Sequence, residues 1–164
     1  MSGGAGSGAR PGSSLPALGR RGEGWVALQF GLFAALAGCG FVGEWPRAVY
    51  WPLVGVGAAL AAAGVTIALA GGARLGRALT PLPRPRGGVL RETGVYGRAR
   101  HPIYGGVLLV AFGWALARSP VALAPAAALW PLLQLKSLRE EAWLEELHPG
   151  YRSYRERVPR RFLG

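Results

Sequence analysis

One cysteine, one lysine and no aspartate occur among the 164 residues. A single cysteine excludes an internal disulfide, and no CxxC pair or His/Cys cluster points to a bound metal. Nothing reads as a nucleophile–base pair, since Cys39 falls in an apolar run, and no P-loop or GxGxxG follows a strand-like stretch. All eight acids are glutamate, five of them between Glu140 and Glu156. Arginine is in excess: it supplies 18 of the 19 basic residues, giving a formal charge of +11 in a chain that is 51% hydrophobic. Mean hydropathy is nevertheless positive, +0.24. A soluble globule rarely combines the two, whereas a membrane protein with its charges outside the bilayer does. Nucleic-acid binding would also explain the basicity. The arginines, however, are interleaved with apolar runs of membrane length, which favours anionic lipid or topology control.

Residues 1–22 are rich in Gly, Ser, Ala, Pro and Arg and offer almost nothing to bury, so a flexible cytoplasmic tail is expected. Residues 23–164 read as one all-α domain, an integral membrane helical bundle of about four transmembrane helices plus a C-terminal cytosolic helix. The first apolar run, 25–42, carries no charge and just reaches the ~20 residues a crossing needs. Arg20-Arg21 followed by Leu36-Ala37-Gly38-Cys39 also fits a lipoprotein signal, with Cys39 lipidated. The alternative is a retained span. The second run, 49–71, is crowded by Gly55, Gly57, Ala58, Ala61, Ala62 and Gly64, small residues that let helix backbones approach in lipid.

A basic loop over residues 72–102 follows, with seven arginines and a Pro/Gly-rich stretch that cannot be helical throughout. The third and fourth runs, 103–117 and 121–135, are short and separated by Arg118-Ser119-Pro120, as in an antiparallel hairpin. Gly106, Val110, Gly113 and Ala117 make a slim stripe on the third. From Lys136 a helix carrying Glu140 and Glu141 runs to Pro149-Gly150, ahead of a tail alternating aromatics with arginines that suits an anionic leaflet. The three arginine-rich segments belong on the cytoplasmic side, which four spans with both termini inside satisfy. The lipoprotein variant, with three spans, puts the loop on that same side.

Chemistry concentrates at residues 94–106. Pro102 suits the first helical position, which puts His101 at the N-cap and at the positive end of the helix dipole. Arg100, His101 and Tyr104 thus gather at the mouth of an apolar helix, where unpaired polar groups are costly. If the fourth helix continues past Lys136, Glu140 and Glu141 fold back over that mouth. Such a place suits a ligand bearing both charges: Arg100 or the helix end for a carboxylate, a glutamate for an ammonium, Tyr96 or Tyr104 against a flat ring. His101 as a simple N-cap, and the glutamates as a solvated helix face, are the plainer alternatives.

The pattern Gly88-Val89-Leu90, Gly94-Val95-Tyr96, Arg100-His101-Pro102, Tyr104 and Gly106, then Glu140-Glu141, Leu144 and Tyr151, Tyr154, Val158-Pro159-Arg160, resembles the integral-membrane methyltransferases. These include the isoprenylcysteine carboxyl methyltransferases and the phospholipid N-methyltransferases. The resemblance covers about residues 85–161. It implies S-adenosylmethionine (S-adenosyl-L-methionine) as methyl donor, with Gly88, Val89, Leu90, Arg91, Tyr96, Arg100, His101, Pro102, Ile103, Tyr104 and Glu140 lining its pocket and Glu141 in support. It also implies a lipid or other hydrophobic acceptor near Lys136 and Arg139. From motif content, charge pattern and hydropathy, no metal and no nucleic acid are expected, and a bacterial plasma membrane is the expected location. Two positions depart from the family pattern. His148-Pro149-Gly150 replaces its Phe-Gly, and lysine at the substrate position lacks the bidentate fork of arginine. Sterol reductases, which use a nicotinamide cofactor, resemble the same C-terminal region, so an NADPH-using reductase and a non-enzymatic membrane protein of this fold are the competing readings. For the topology, alkaline phosphatase fused after residue 88 is expected to be inactive; activity in the periplasm would refute the charge-based orientation.

Overall fold

The computed structural model describes Pro16, residues 18–82 and residues 89–163. Most of the expected tail over residues 1–22, and Gly88 of the expected pocket, lie outside the described residues. Every regular element among the described residues is helical: α1 Glu23–Cys39, α2 Arg47–Leu75, α3 Pro102–Arg118, α4 Leu123–Leu147 and α5 Tyr151–Arg157, with 3-10 turns at Gly76–Ala78 and Gly94–Gly97. The all-α expectation stands. Of the four expected spans, one is by length and composition enough to cross a membrane among the described residues, α2 with the turn that follows it. The 17-residue α1 and α3 are apolar but shorter, and α4 becomes charged over its second half.

Three boundaries differ from expectation. α1 stops at Cys39 rather than continuing to residue 42. α2 runs on to Leu75 instead of ending at residue 71, because Gly71 and Gly72 stay helical and the break comes at Gly76, whose φ of +53° is left-handed. The fourth apolar run and the expected C-terminal helix are a single element, α4: residues 135–146 are, apart from Ser137 and Trp143, strong helix formers, and nothing interrupts the ladder at Lys136. The basic tail folds into the short α5 and a return segment, residues 158–163.

α2 packs along α3, α3 along α4, and α4 along α1, while α1 and α2 barely touch despite being neighbours in the chain. The tightest contact is α2 against α3, which run antiparallel. Gly57 faces Gly113 and Gly64 faces Gly106, so closely that a Cβ on any of the four would lie 2.5 Å from the partner's carbonyl oxygen. A spacing of seven keeps each pair on one helical face. The slim stripe of α3 thus meets its neighbour as expected: a Cβ at Gly64 would also touch Val110, and one at Gly57 would touch Ala117. Outside this seam α2 is bare, with only 11% of its apolar window buried and Trp51, Val56, Val65 and Leu69 facing outward. Such exposed apolar area is unusual in water.

α3 and α4 meet over Leu108, Ala111, Ala115, Ala126, Leu129 and Leu133, all nearly inaccessible. At the end away from His101, the Trp114 indole N–H donates to the Leu36 carbonyl at 3.3 Å, and the Ser119 hydroxyl donates to the Val42 carbonyl. Arg118 lies over the rings of Phe41 (4.9 Å) and Trp114 (5.5 Å), tying the α1–α2 loop to the α3–α4 turn.

The glycine seam predicts an asymmetric response. Gly64→Leu forces the backbones apart and is expected to cost about 2–3 kcal/mol, lowering the thermal midpoint by roughly 5–10 °C. Gly55→Leu points into open space and should change it little. Equal midpoints for the two variants would refute the seam.

Candidate functional site

α3 begins with Pro102 at its first position and His101 at the N-cap, as the sequence implies. His101 makes no side-chain cap, however. Its imidazole instead lies between the two glutamates of α4: Nδ1 is 3.3 Å from Glu140 Oε2, and Nε2 is 3.1 Å from Glu141 Oε1. A carboxylate can only accept, so the ring satisfies both contacts only when both nitrogens carry protons. One turn on, the Tyr104 ring stacks on His101 at an interplanar angle of 7°, and its hydroxyl donates to the second oxygen of Glu140.

Glu141 is the most heavily engaged group. It is 4% exposed and accepts from Arg100 Nε at 3.0 Å, from His101, and from Arg161 Nε at 3.3 Å. Arg100 also donates to the carbonyls of Val158 (2.7 Å) and Pro159 (2.8 Å), while Arg161 reaches the Gln134 side chain at 2.8 Å. The return segment is pinned by backbone bonds as well, Arg100 N–H to Arg160 O at 3.1 Å and His101 N–H to Arg161 O at 2.7 Å. Phe162 then inserts at the first turn of α3, its carbonyl against Gly105 and its ring 5.7 Å from that of Trp130. Burial disfavours charge on His101, but hydrogen bonds to Glu140 and Glu141 outweigh it and hold the imidazole above its ordinary 6.5. Burial likewise acts against the Glu141 carboxylate, yet His101, Arg100 and Arg161 bring it down to about 2.

Beside this network lies a cavity of about 420 Å³, within the usual range for small-ligand sites. Its polar wall holds Arg91, Tyr96, Arg100, His101, Tyr104, Lys136 and Glu140. Its apolar wall comes from Leu75 and Leu79 near the end of α2, Val89 and Leu90 of the loop, and Ile103 and Val107 of α3. Of the residues singled out in the sequence, Val89, Leu90, Arg91, Tyr96, Arg100, His101, Ile103, Tyr104, Lys136 and Glu140 therefore converge on one space. Pro102, Glu141 and Arg139 do not line it. Pro102 is taken up by the start of the helix, Glu141 stands behind His101, and the Arg139 guanidinium lies over the Trp143 ring at 4.5 Å.

Lys136 was anticipated, but its partner Gln29 was not. Lys136 is 1% exposed; its ammonium donates to Gln29 Oε1 at 2.7 Å and to the Pro81 carbonyl at 2.9 Å, and lies 5.1 Å from the centre of the Tyr104 ring. Gln29 is an uncharged polar side chain in the middle of an apolar run, and that contrast was its only sequence signal. Tyr151 and Tyr154 close the cavity from α5. Burial pushes the Tyr154 hydroxyl up to about 12 while it donates to the Tyr96 carbonyl at 2.7 Å, fixing the 3-10 turn that carries Tyr96. Arg161 is no surface arginine but a partner of Glu141, whereas Arg152 stays exposed.

No known family matches the chain, and neither does any curated protein or solved structure.

The two shifted groups give stability a definite pH window. The contribution of Glu141 is fully present above its ordinary 4.5 and is lost as pH falls toward 2. That of His101 is fully present below 6.5 and is lost as pH rises through its raised value. The thermal midpoint is therefore expected to be highest between about pH 4.5 and 6.5. Glu141→Gln should cost about 3 kcal/mol or more of stability in that window and lower the midpoint accordingly, since it strands buried cations. A pH profile that the substitution leaves unchanged would show that the network carries no stability.

Proposed function

We propose that the chain is an integral membrane methyltransferase that transfers a methyl group from S-adenosylmethionine to a lipid, prenylated or other hydrophobic acceptor at the cytosolic face. The observation that carries this reading is the convergence of separate motif segments, Val89–Arg91, Tyr96–Tyr104 and Lys136–Glu140, on one cavity with apolar walls and charges of both signs. The residues present fit such a cofactor. Glu140 offers a carboxylate for an ammonium, Arg91 offers a cation for a carboxylate, and Tyr96 and Tyr104 offer faces for a flat ring. Arg100 is already engaged by Glu141 and two carbonyls, so its part is to fix the helix mouth.

When bound, the cofactor supplies an electrophilic sulfonium-linked methyl group. The protein's contribution is mostly positioning and exclusion of water. Tyr104 and His101 orient Glu140, and Leu79, Val89 and Ile103 give the cavity an apolar wall. A carboxylate or thiolate acceptor needs no base. An amine acceptor must lose a proton, for which Glu140 is the carboxylate at hand in the cavity wall.

The proposed topology has α1, α2, α3 and the first half of α4 crossing a bacterial plasma membrane, with both termini and the cavity cytoplasmic. Outward-facing Phe30, Trp51, Val65, Leu69 and Trp130 support contact with lipid. At ~1.5 Å per residue the 17-residue helices reach ~26 Å, slightly less than the ~30 Å hydrocarbon core, so flanking residues or local thinning complete the crossing.

Calorimetric titration of the purified full chain with S-adenosylhomocysteine and with NADPH tests this function. Binding of the first is expected, abolished in His101→Ala, weakened roughly tenfold in Glu140→Gln and preserved in Arg152→Ala. Binding of NADPH alone would indicate the reductase, and binding of neither a scaffold without this activity. Mass spectrometry of host lipids with the gene present or deleted, searching for species heavier by one methylene, identifies the acceptor.

A further inference from the structure

A second hollow lies on the outer side of the return segment, lined by Gly97, Arg98, Arg157, Val158, Pro159 and Arg160. Three of these six residues are arginines. Arg157 is paired with Glu92. Arg98 and Arg160 are exposed, and among the described residues neither has a carboxylate partner. Elsewhere in the tail, Arg155 is tied to Glu145 at 2.5 Å and Arg161 to Glu141. Two cations converging on a concave surface without a counter-charge are poised for an anion with several acceptor oxygens, which guanidinium groups hold in bidentate fashion.

The surroundings of the hollow indicate where that anion comes from. Arg98 stands just before the mouth of α3, and Arg160 is joined to that mouth through its carbonyl bond to Arg100 N–H. Two residues further on, Phe162 packs at the first turn of α3 beside the ring of Trp130, which is 47% exposed, and Leu163 is 43% exposed. A cationic hollow in a segment that goes on, through Phe162, to an exposed tryptophan and leucine where an apolar helix begins matches the headgroup level of a bilayer.

We infer that the hollow formed by Arg98, Arg157 and Arg160 binds the phosphate of an anionic phospholipid of the cytoplasmic leaflet. The inference rests on the membrane placement proposed above and not on methyl transfer. Val158 and Pro159 also line the hollow, and their carbonyls accept from Arg100, the partner of Glu141. A bound headgroup therefore also steadies the segment that holds the cavity's polar wall.

The test is thermal unfolding of the full chain in a neutral detergent, titrated with phosphatidylglycerol, phosphatidylcholine or inorganic phosphate. Phosphatidylglycerol is expected to raise the midpoint by roughly 5 °C at saturation, phosphatidylcholine to leave it unchanged, and inorganic phosphate to act only weakly. The rise should vanish in Arg98→Gln/Arg160→Gln, whose native side chains hold no described carboxylate, and persist in Arg152→Gln. Equal stabilisation by inorganic phosphate would assign the site to a free anion, and a rise that survives the double substitution would assign it elsewhere; either overturns the inference. Release of the protein from membranes by alkaline carbonate would instead overturn the membrane placement. Titration with S-adenosylhomocysteine in the double variant reports on the cavity separately.

Discussion

One buried carboxylate holds three parts of the molecule together. Glu141 on α4 accepts from Arg100 at the mouth of α3, from the His101 imidazole and from Arg161 of the return segment. Withdrawing that many charges from water is expensive, and it is offset by three donors meeting on the carboxylate and by the carbonyls that take up the rest of Arg100. The consequence is rigidity. Once α4 and α3 are clamped at this end, the Glu140 carboxylate and the Tyr96, Tyr104 and Lys136 side chains have fixed positions around the cavity.

The clamp is effective because the bundle beneath it is stiff where it needs to be. Gly57, Gly64, Gly106 and Gly113 let α2 and α3 touch backbone to backbone, which sets the position of Ile103 and of the end of α2 relative to the cavity. On the other side, the Lys136 ammonium bridges α4, Gln29 of α1 and the Pro81 carbonyl. This is the link between α1 and the cavity, since α1 barely meets α2. Two kinds of contact thus divide the labour, close glycine packing along the helices and charged hydrogen bonds across their ends. The proposed enzymatic reading needs both, because positioning is most of what a displacement at a sulfonium carbon asks of a protein.

Much of this was legible beforehand. Pro102 at the first helical position, His101 ahead of it, and glutamates near enough to fold over them all follow from local rules, and the slim stripe of α3 announced a neighbour. The change in polarity from Leu135 to Lys136 reads like a boundary, and the sequence leaves open whether the helix continues past it. Helical hydrogen bonding is indifferent to that change. The Arg161 side chain looked like one more member of a basic, lipid-facing tail, yet it turns inward to Glu141. Arg100, which with the helix end was the expected holder of a ligand carboxylate, lines the cavity and is also held by protein partners, as backbone carbonyls of the return segment come within reach only in the folded chain.

By itself the sequence determined what local chemistry decides: helical elements, their apolar lengths, the arginine-rich ends, and the polar cluster where α3 starts. Tertiary structure decided which of two adjacent glutamates faces the cavity and which stands behind it. Neighbours on a helix point about 100° apart, so the rotation of α4 assigns Glu140 and Glu141 their different surroundings. That rotation is set by how Leu129, Leu133 and Ala126 pack, contacts between segments far apart in the chain that no local pattern encodes.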